Sequence, residues 1–383
     1  MQTMKVIVVG GGIGGLCAAL ALQKQGIETI VYEAAPELKP VGAGVGLAAN
    51  AIQGLASLGV SDAVIARGKE LEALTIFDEH DHIITNQDTR PLSKKYGISN
   101  FVIHRADLHD VLAQNLKPGT LQLNKRCQTI NQQNNRVLVT FTDGTQTIAD
   151  LLIAADGINS VIRQHLLPES KPRYAGYTCW RGVIQNPGVT INHMISAETW
   201  APQGRVGMAS LPGNRIYWYA CINAPENDPR MRQMTPAQLA AHFTGVHKPV
   251  QQVLAATRPD QLIWGDIADL KPLKKFVYNR MVLLGDAAHA TTPNMGQGAC
   301  QAIEDAVVLG QCLAQHATIV SALANYEKRR LARTAKVIRL SRMLGWVSQW
   351  ENPLLVKVRN AVFRATPAFI TQQQMEDLYR VDF

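Results

Sequence analysis

Lys5 to Glu33 reads KVIVVGGGIGGLCAALALQKQGIETIVYE, and the fold turns on this stretch. Val6 to Val9 is a short β-branched run of the kind parallel sheets bury on both faces, Leu16 to Gln25 has helical spacing and is rich in Ala and Leu, and a second strand ends in TIVYE. Between the first strand and the helix, Gly10, Gly12 and Gly15 stand in the G-x-G-x-x-G spacing. Gly10 allows a tight turn, Gly12 lets backbone approach a pyrophosphate, and Gly15 lets the helix pack closely on the strand. The helix N-terminus offers free N–H groups and a positive dipole end to phosphates. Glu33 closes the second strand, where an acid takes ribose hydroxyls and repels a 2'-phosphate. The turn suits the adenosine half of FAD or NAD, and alone it does not choose between them.

A second turn, GDAAHATTPNMGQG, spans Gly285 to Gly298 between a buried strand, Met281 to Leu284, and a helix from about Gly298. Gly285 permits a sharp turn and Asp286 can accept hydrogen bonds from sugar or ribityl hydroxyls. The PNMGQG segment brings backbone N–H groups to a helix start, where they can meet an anion or a carbonyl oxygen. One ligand needs two such distant turns if it has a second polar portion beyond its pyrophosphate, as FAD has. Between them, ADLLIAADGINSVIRQHL reads as a strand, Leu151 to Ala155, then Asp156-Gly157, Ser160 and Arg163 opening another helix. Each of these last two motifs alone is an ordinary strand-to-helix turn with an Asp cap. The three in this order are hard to assign to chance.

Composition sets the bounds. With 383 residues, 46% of them hydrophobic, the chain can bury a large core, and no run of eighteen apolar residues marks a membrane span or secretory signal, so a cytoplasmic enzyme is expected. Six scattered cysteines without Cys-x-x-Cys spacing argue against a metal site or a disulfide framework. The net charge of +8 suits an anionic cofactor or substrate or an acidic membrane surface, while dispersed Lys and Arg without a recognition motif disfavour nucleic acid. The densest basic run, KRRLARTAKVIRLSR from Lys328 to Arg342, reads as the solvated face of a helix.

The order GGGIGG, Glu33, HRADLHDVL, ADGINSVIR and GDAAHATTPNMGQGACQAIEDA resembles the single-component FAD-dependent aromatic hydroxylases, the para-hydroxybenzoate hydroxylase class of flavoprotein monooxygenases. RYAGYTCWRG, Arg173 to Gly182, is most similar to the subgroup with urate hydroxylase, salicylate hydroxylases and zeaxanthin epoxidase. The resemblance implies a bound FAD and NAD(P)H as a transient co-substrate. It implies that Gly12, Gly14 and Gly15 line the pyrophosphate, Glu33 the adenosine ribose, Arg105 the phosphates or ribityl chain, and Cys127 the strand holding adenine. Asp156 and Gly157 would serve FAD and the reduced nicotinamide, Asp286 the ribityl or pyrophosphate portion, and Pro293, Gly296, Gln297, Gly298 and Ala299 the isoalloxazine edge. VGAGVGLAANAIQGL, Val41 to Leu55, matches the flavin-facing loop with Ala43 and Gly44, and Ala49 stands where members often have proline.

The implied fold is α/β: a discontinuous Rossmann-like FAD-binding domain (1–71, 100–170 and 275–339), an inserted mixed β-sheet substrate domain (72–99 and 171–274) and a C-terminal helix within 340–383. LEALTIFDEHDHIIT and NRIYWYACINAP read as its sheet strands, and Thr235 and Pro236 open a helix. The apolar, basic tail LGWVSQWENPLLVKVRNAVFRATPAF reads as a helix packed over both domains, the alternative being a peripheral membrane surface that suits a lipophilic substrate. The implied reaction is reduction of FAD by NAD(P)H, addition of O2 at flavin C4a, and oxygen transfer to an aromatic or lipophilic small molecule. Arg205 and Tyr217 are the expected substrate-positioning residues, with Trp180 and Arg181 behind them and His289 in a scaffold role. The rivals are an FAD-dependent double-bond reductase, an epoxidase, a halogenase, whose Trp-x-Trp-x-Ile-Pro signature is missing, and a non-catalytic protein resembling the prenyl-GTPase dissociation inhibitors.

Overall fold

The computed structural model describes residues 4–38 and 42–383, so Val41, the first residue of the expected flavin-facing loop, lies outside the described residues. Five parallel strands run in the order Met281–Leu283, Leu151–Ala154, Lys5–Val9, Glu28–Tyr32, Leu121–Gln122, with Val277–Tyr278 antiparallel at one edge. Val6, Ile7, Val8 and Leu151 to Ile153 are fully buried, which explains why these runs carry no alternating polar residue. A meander of Cys127–Gln133, Arg136–Phe141 and Gln146–Ala149 fills the crossover to the Leu151–Ala154 strand.

The first helix, Ile13–Lys24, starts earlier than its Ala/Leu run suggests and is apolar on most sides because it is covered twice. The sheet takes one face and the helix Gly298–Gln315 the other. Small residues allow this second contact: a Cβ on Gly14 would lie 2.9 Å from Leu284 Cδ2 and 3.2 Å from Ala302 Cβ, and one on Gly310 would lie 2.9 Å from Ala21 Cβ.

A seven-stranded mixed sheet, ordered Ile263–Asp269, Arg173–Gln185, Arg215–Asn223, Gly204–Leu211, Ile195–Ala201, Ala73–Asp78, Ile83–Asp88, forms the second layer. Its only parallel pair joins Ala73–Asp78 to Ile195–Ala201, the step where the early hairpin meets the later strands. One face buries Trp180 and Trp218 against Leu239, Phe243 and Val250 of the helices Pro236–His242 and Lys248–Ala255. Thr235 caps the first of these with a complete capping box. The opposite face turns towards the glycine turns, across a small sheet of Gly44–Ala48, Asn100–His104 and Gly68–Glu70.

The basic run is a solvated face only in part: Lys328, Lys336 and Arg339 are exposed, but Arg330 is buried, against expectation. The run lies in one 30-residue helix, Ile319–Ser348, which continues unbroken past residue 339. Arg330 is 2% exposed and donates to Glu304 and Asp305, with Nε 2.6 Å from Asp305 Oδ1 and Nη1 2.5 Å from Glu304 Oε2. Arg333 adds Nε at 2.6 Å from Glu304 Oε2. Two acids that would be prohibitively costly to bury alone are held by two guanidinium forks. After this helix come Pro353–Ala365 and Ala368–Tyr379, two helices where the tail suggests one. They tie to both layers, through Arg364 to Asp78 (2.8 Å) and Arg333 to the Leu378 carbonyl (2.5 Å). Among the described residues no helix is long and apolar enough to cross a membrane.

Replacing Arg330 with Met should cost about 3–5 kcal/mol, because it strands two buried carboxylates, and thermal melts of the purified variant check this. Asp305 supplies a pH signature. Burial would raise its pKa, but His289 and Arg330 outweigh that and hold it at about 2. A depressed carboxylate contributes stability above its unfolded value near 3.8 and loses it as pH falls towards 2. Urea-unfolding free energy should therefore fall about 2 kcal/mol more between pH 5 and pH 2 in the wild type than in Asp305→Asn.

Candidate active site

In the first turn the glycines divide by what surrounds them. Gly10 has φ +107° and a Cβ there would lie 2.3 Å from the Ala155 carbonyl oxygen, so the turn is pressed onto the strand end that carries Asp156. A Cβ on Gly15 would lie 1.9 Å from the Gly10 carbonyl oxygen. Gly12 is different, since nothing lies within 4 Å of its added Cβ. Its backbone and the first-turn N–H groups after it, which have no intrahelical acceptor, border open space. Glu33 is fixed beside them, accepting from Gly11 N–H at 2.6 Å and Ala35 N–H at 2.8 Å. Backbone bonds from Lys125 to Glu33 and from Asn124 to Ala35 run the chain alongside, delivering Cys127 to the same end. Burial, with the nearby Asp156 charge, pushes the Cys127 thiol up to about 12.

The middle turn sits between the other two. Asp156 Oδ2 accepts from Val161 N–H at 2.9 Å, and Ser160 Oγ caps the same helix by accepting from Arg163 N–H at 2.9 Å. Asp156 Oδ1 is buried and has no partner among the described residues, and burial raises this carboxyl's pKa. An orphaned acceptor facing a glycine, Gly157, with open space above it is what a ligand hydroxyl would satisfy. Arg163 is buried and donates to the carbonyls of Ile158 (2.5 Å) and Ala287 (3.2 Å), fastening the middle turn to the second.

At the second turn, Gly285 N–H donates to Asp305 Oδ2 at 2.9 Å and His289 Nε2 lies 2.5 Å from the same oxygen. Asp286 is solvent-exposed, yet its recess is dense enough in protein to raise its pKa, with His289 and Arg105 pulling the other way. Its Oδ1 faces the helix start, 4.0 Å from where a Gly298 Cβ would be. Pro293–Met295 form a single 3-10 turn, Gly296 takes φ +62°, and Gly298 and Ala299 present first-turn N–H groups. The Gln297 side chain is buried, accepting from Asn50 (3.0 Å) and Gln301 (3.0 Å), and its carbonyl accepts from Gln301 N–H, which leaves only its backbone N–H for a ligand. Arg105 is exposed at the start of the helix Arg105–Gln114, its N–H bonded to the Ala43 carbonyl. Ala49 opens the helix Ala49–Leu58.

The sheet completes the cleft. The Tyr217 ring lies against Gly44, where a Cβ would come within 2.4 Å of it, so the seven-stranded sheet touches the loop at Gly44 directly. Trp180 is fully buried on the far face and does not reach the cleft; Arg181, next along the strand, faces it with Tyr219. Arg205 is buried, donating to Gln349 Oε1 (2.7 Å), Glu198 Oε1 (3.0 Å) and Asn294 Oδ1 (2.8 Å), with the Tyr177 ring 5.4 Å from its guanidinium carbon. Tyr177 also donates to Asn294 Oδ1 at 3.1 Å. Sequence reasoning missed Glu198, Asn294 and Gln349. The alternation across Ile195–Ala201 and Gly204–Leu211 carries a signal for Glu198; nothing local links Gln349 to this wall.

The FAD binding domain family model matches residues 3–341. The chain is 38% identical over 365 residues to an aurachin C monooxygenase/isomerase of Stigmatella aurantiaca, covering 94% of each. It is 35% identical over 342 residues to an FAD-dependent urate hydroxylase of Klebsiella pneumoniae, covering 88% of each. Klebsiella pneumoniae HpxO, solved with FAD and uric acid, superposes with a TM-score of 0.92 at 31% identity over 98% of this chain and 96% of that one. With three glycine-bearing turns facing one cleft and a family match running through all of them, the chain belongs to the FAD binding domain family and is an FAD-dependent flavoprotein hydroxylase.

Proposed function

We propose that the chain inserts one atom of O2 into an aromatic or heteroaromatic small molecule, with NAD(P)H as transient electron donor, the other oxygen atom leaving as water. The observation that carries this reading is that the turns at Gly12, Asp156 and Asp286 follow three neighbouring parallel strands and so lie side by side at one end of the sheet, with Tyr217 of the second sheet packed on the Gly44 loop. The urate hydroxylase relative and the HpxO complex with uric acid support a heteroaromatic substrate. FAD, when bound, supplies the redox chemistry, accepting electrons from NAD(P)H and passing oxygen from O2 to the substrate.

The chain's own residues bind, orient and shield. In this proposal 1–71, 100–170 and 275–339 form the FAD-binding part. The Gly12–Gly15 helix start takes the pyrophosphate, Glu33 the ribose, and the Cys127 strand the adenine. Arg105, Asp156 with Gly157, and Asp286 take the phosphate and ribityl portion. Ala43, Gly44 and the Pro293–Ala299 backbone border the ring, whose added negative charge on reduction meets the N–H groups of a helix N-terminus. Tyr217 offers a hydroxyl to the substrate, burial keeping the phenol protonated. Arg205 positions the wall by joining it to Asn294 of the second turn.

Purified protein should carry FAD, and substrate should stimulate NAD(P)H oxidation with matching O2 uptake and hydroxylated product; NAD(P)H oxidation without O2 uptake would favour the reductase. Gly12→Ala should fold normally, since its φ of −72° suits alanine and the Cβ meets no protein, yet weaken FAD by about tenfold or more. Gly15→Ala should instead lower apo stability by about 1–3 kcal/mol, as its Cβ collides with Gly10. Melts and FAD titration separate the two. Tyr217→Phe keeps the ring on Gly44 and should lower kcat/KM by about tenfold, one net hydrogen bond, with more NAD(P)H diverted to hydrogen peroxide in a coupled assay.

A further inference from the structure

We propose that the outward face of the helix Pro353–Ala365 is a membrane-docking surface, and that it seats the chain reversibly on a bilayer carrying anionic lipid headgroups. The residues concerned take no part in the candidate active site, so the proposal does not rest on the hydroxylase reading.

This helix is built inside out. Its buried residues are Val356, Arg359 and Asn360, two of them polar. Arg359 Nη1 donates to the Ser348 carbonyl at 2.9 Å and Nε to Asn360 Oδ1 at 3.0 Å, and the guanidinium carbon lies 4.9 Å from the centre of the Trp200 ring. Phe363 meets the same ring edge-on at 5.0 Å. The opposite side carries Leu354, Val358 and Val362, 69%, 50% and 59% exposed, with Leu355 exposed beside them. These three follow i, i+4, i+8, and the exposed Ala361 and Ala365 fill the spaces, so the apolar stripe runs the length of the helix, about 20 Å. A helix lying on a protein with its other side in water shows the reverse pattern.

The neighbouring segments repeat the pattern. Phe369 and Ile370 are exposed in the first turn after Pro367. On the preceding helix Met343 and Trp346 are exposed one turn apart, and Trp346 meets Trp350 edge-on at 5.3 Å, just before the Asn352 cap. Of the thirteen large hydrophobic side chains exposed among the described residues, eight lie between Met343 and Ile370, the other five being scattered from Ile83 to Val320. Single exposed apolar residues are ordinary on any protein, whereas a concentration of this kind marks an interaction surface.

The charges decide what covers it. From Asn352 to Met375 the chain holds Lys357, Arg359 and Arg364 and no Asp or Glu. Lys357 and Arg364 stand two turns apart along one edge of the stripe. Lys357 has no ion-pair partner among the described residues, and Arg364 reaches back to Asp78 at 2.8 Å while remaining exposed. Arg339, exposed and also without an ion-pair partner among the described residues, stands one turn before Met343 on the same side of its helix. Glu351, the acid next to the helix start, accepts from Asn223 at 2.8 Å. In a two-fold contact a second copy would lay this stripe on its own counterpart, setting Lys357 and Arg364 against the same cations with no carboxylate on the face to meet them. An anionic headgroup layer supplies the missing charge. The acyl boundary beneath it takes Leu354, Val358 and Val362, the cationic side chains reach the headgroups from the edge of the stripe, and the Trp346 ring suits the boundary itself. The net charge of +8 adds attraction of the same sign at longer range.

The test is cosedimentation of the FAD-loaded protein with vesicles of phosphatidylcholine alone, or of phosphatidylcholine and phosphatidylglycerol in about equal parts. Wild type should bind the phosphatidylglycerol vesicles at least about tenfold more tightly, and that affinity should fall at least about fivefold between about 0.1 M and about 0.5 M salt. The triple variant Leu354→Gln, Val358→Gln, Val362→Gln should lose at least about tenfold, and Lys357→Gln about fivefold. Ile148→Gln, a change at an exposed apolar residue elsewhere, should lose nothing. All these positions are exposed, and thermal melts confirm that each variant is folded. Absence of binding to either vesicle, equal binding to both, or undiminished binding by the folded triple variant would overturn the proposal. So would a dimer in lipid-free sedimentation equilibrium that the triple variant dissolves, which assigns the face to a second copy. None of these readouts depends on turnover, so the hydroxylase reading stands or falls separately.

Discussion

The contact on which the rest of the molecule depends is the Arg330 guanidinium between Glu304 and Asp305, three charged groups each no more than 2% exposed. From Asp305 the network reaches Gly285 N–H and His289, fixing the start of the second turn. From Glu304 it reaches Asn50 and Gln301, and through Asn50 the buried Gln297 at the end of that turn. The loop is thus held at both ends from behind, by groups that face away from the cleft. A buried ion pair is weak evidence of net stability against an apolar substitute, but it fixes geometry, because any misplacement leaves a charge without a partner. That suits a loop whose backbone N–H groups must meet a ligand in one orientation.

A similar economy governs the substrate wall. Arg205 and Tyr177 both donate to Asn294 Oδ1, and the Asn294 amide nitrogen donates to Thr292 Oγ1 and to the Ser341 carbonyl of the long helix, each at 2.9 Å. One asparagine in the second turn therefore joins the seven-stranded sheet to the helix that carries Arg330. A shift of the sheet is transmitted to the second turn through these hydrogen bonds. The Tyr217 contact with Gly44 makes the same connection on the opposite side through van der Waals packing.

What was legible in the sequence follows from which physics is local. The buried β-branched runs, the glycine spacing and the Asp caps are imposed by backbone conformation within a few residues, and the strand-turn-helix units formed where they were expected. The glycines also separate cleanly into those that let backbone pack on backbone, Gly10 and Gly15, and Gly12, which faces open space. Within the basic run from Lys328, Arg330 was misread because charge runs are normally solvated, and only the fold brings Glu304 and Asp305 opposite it. Trp180 was drawn towards the cleft by its neighbours in RYAGYTCWRG, yet strand alternation sends it to the core and Arg181 to the cleft. Gln349 reaches Arg205 only because a 30-residue helix ends beside the sheet, a length set by tertiary packing.

The two arginine centres solve one electrostatic problem in different settings. At Arg330 the cation and both acids are buried in the scaffold, with Arg333 covering Glu304 from its outer side. At Arg205 the cation is buried while its acid remains partly open to the cleft, with an oxygen to spare. Closing the cleft over a substrate lowers the local dielectric and magnifies whatever charge is left unbalanced there. The Arg205–Glu198 pair is balanced as a pair and is joined through Asn294 to the second turn, so a change of charge at either partner disturbs the bridge to that turn. The charge of the wall and the geometry of the second turn are therefore coupled through a single guanidinium.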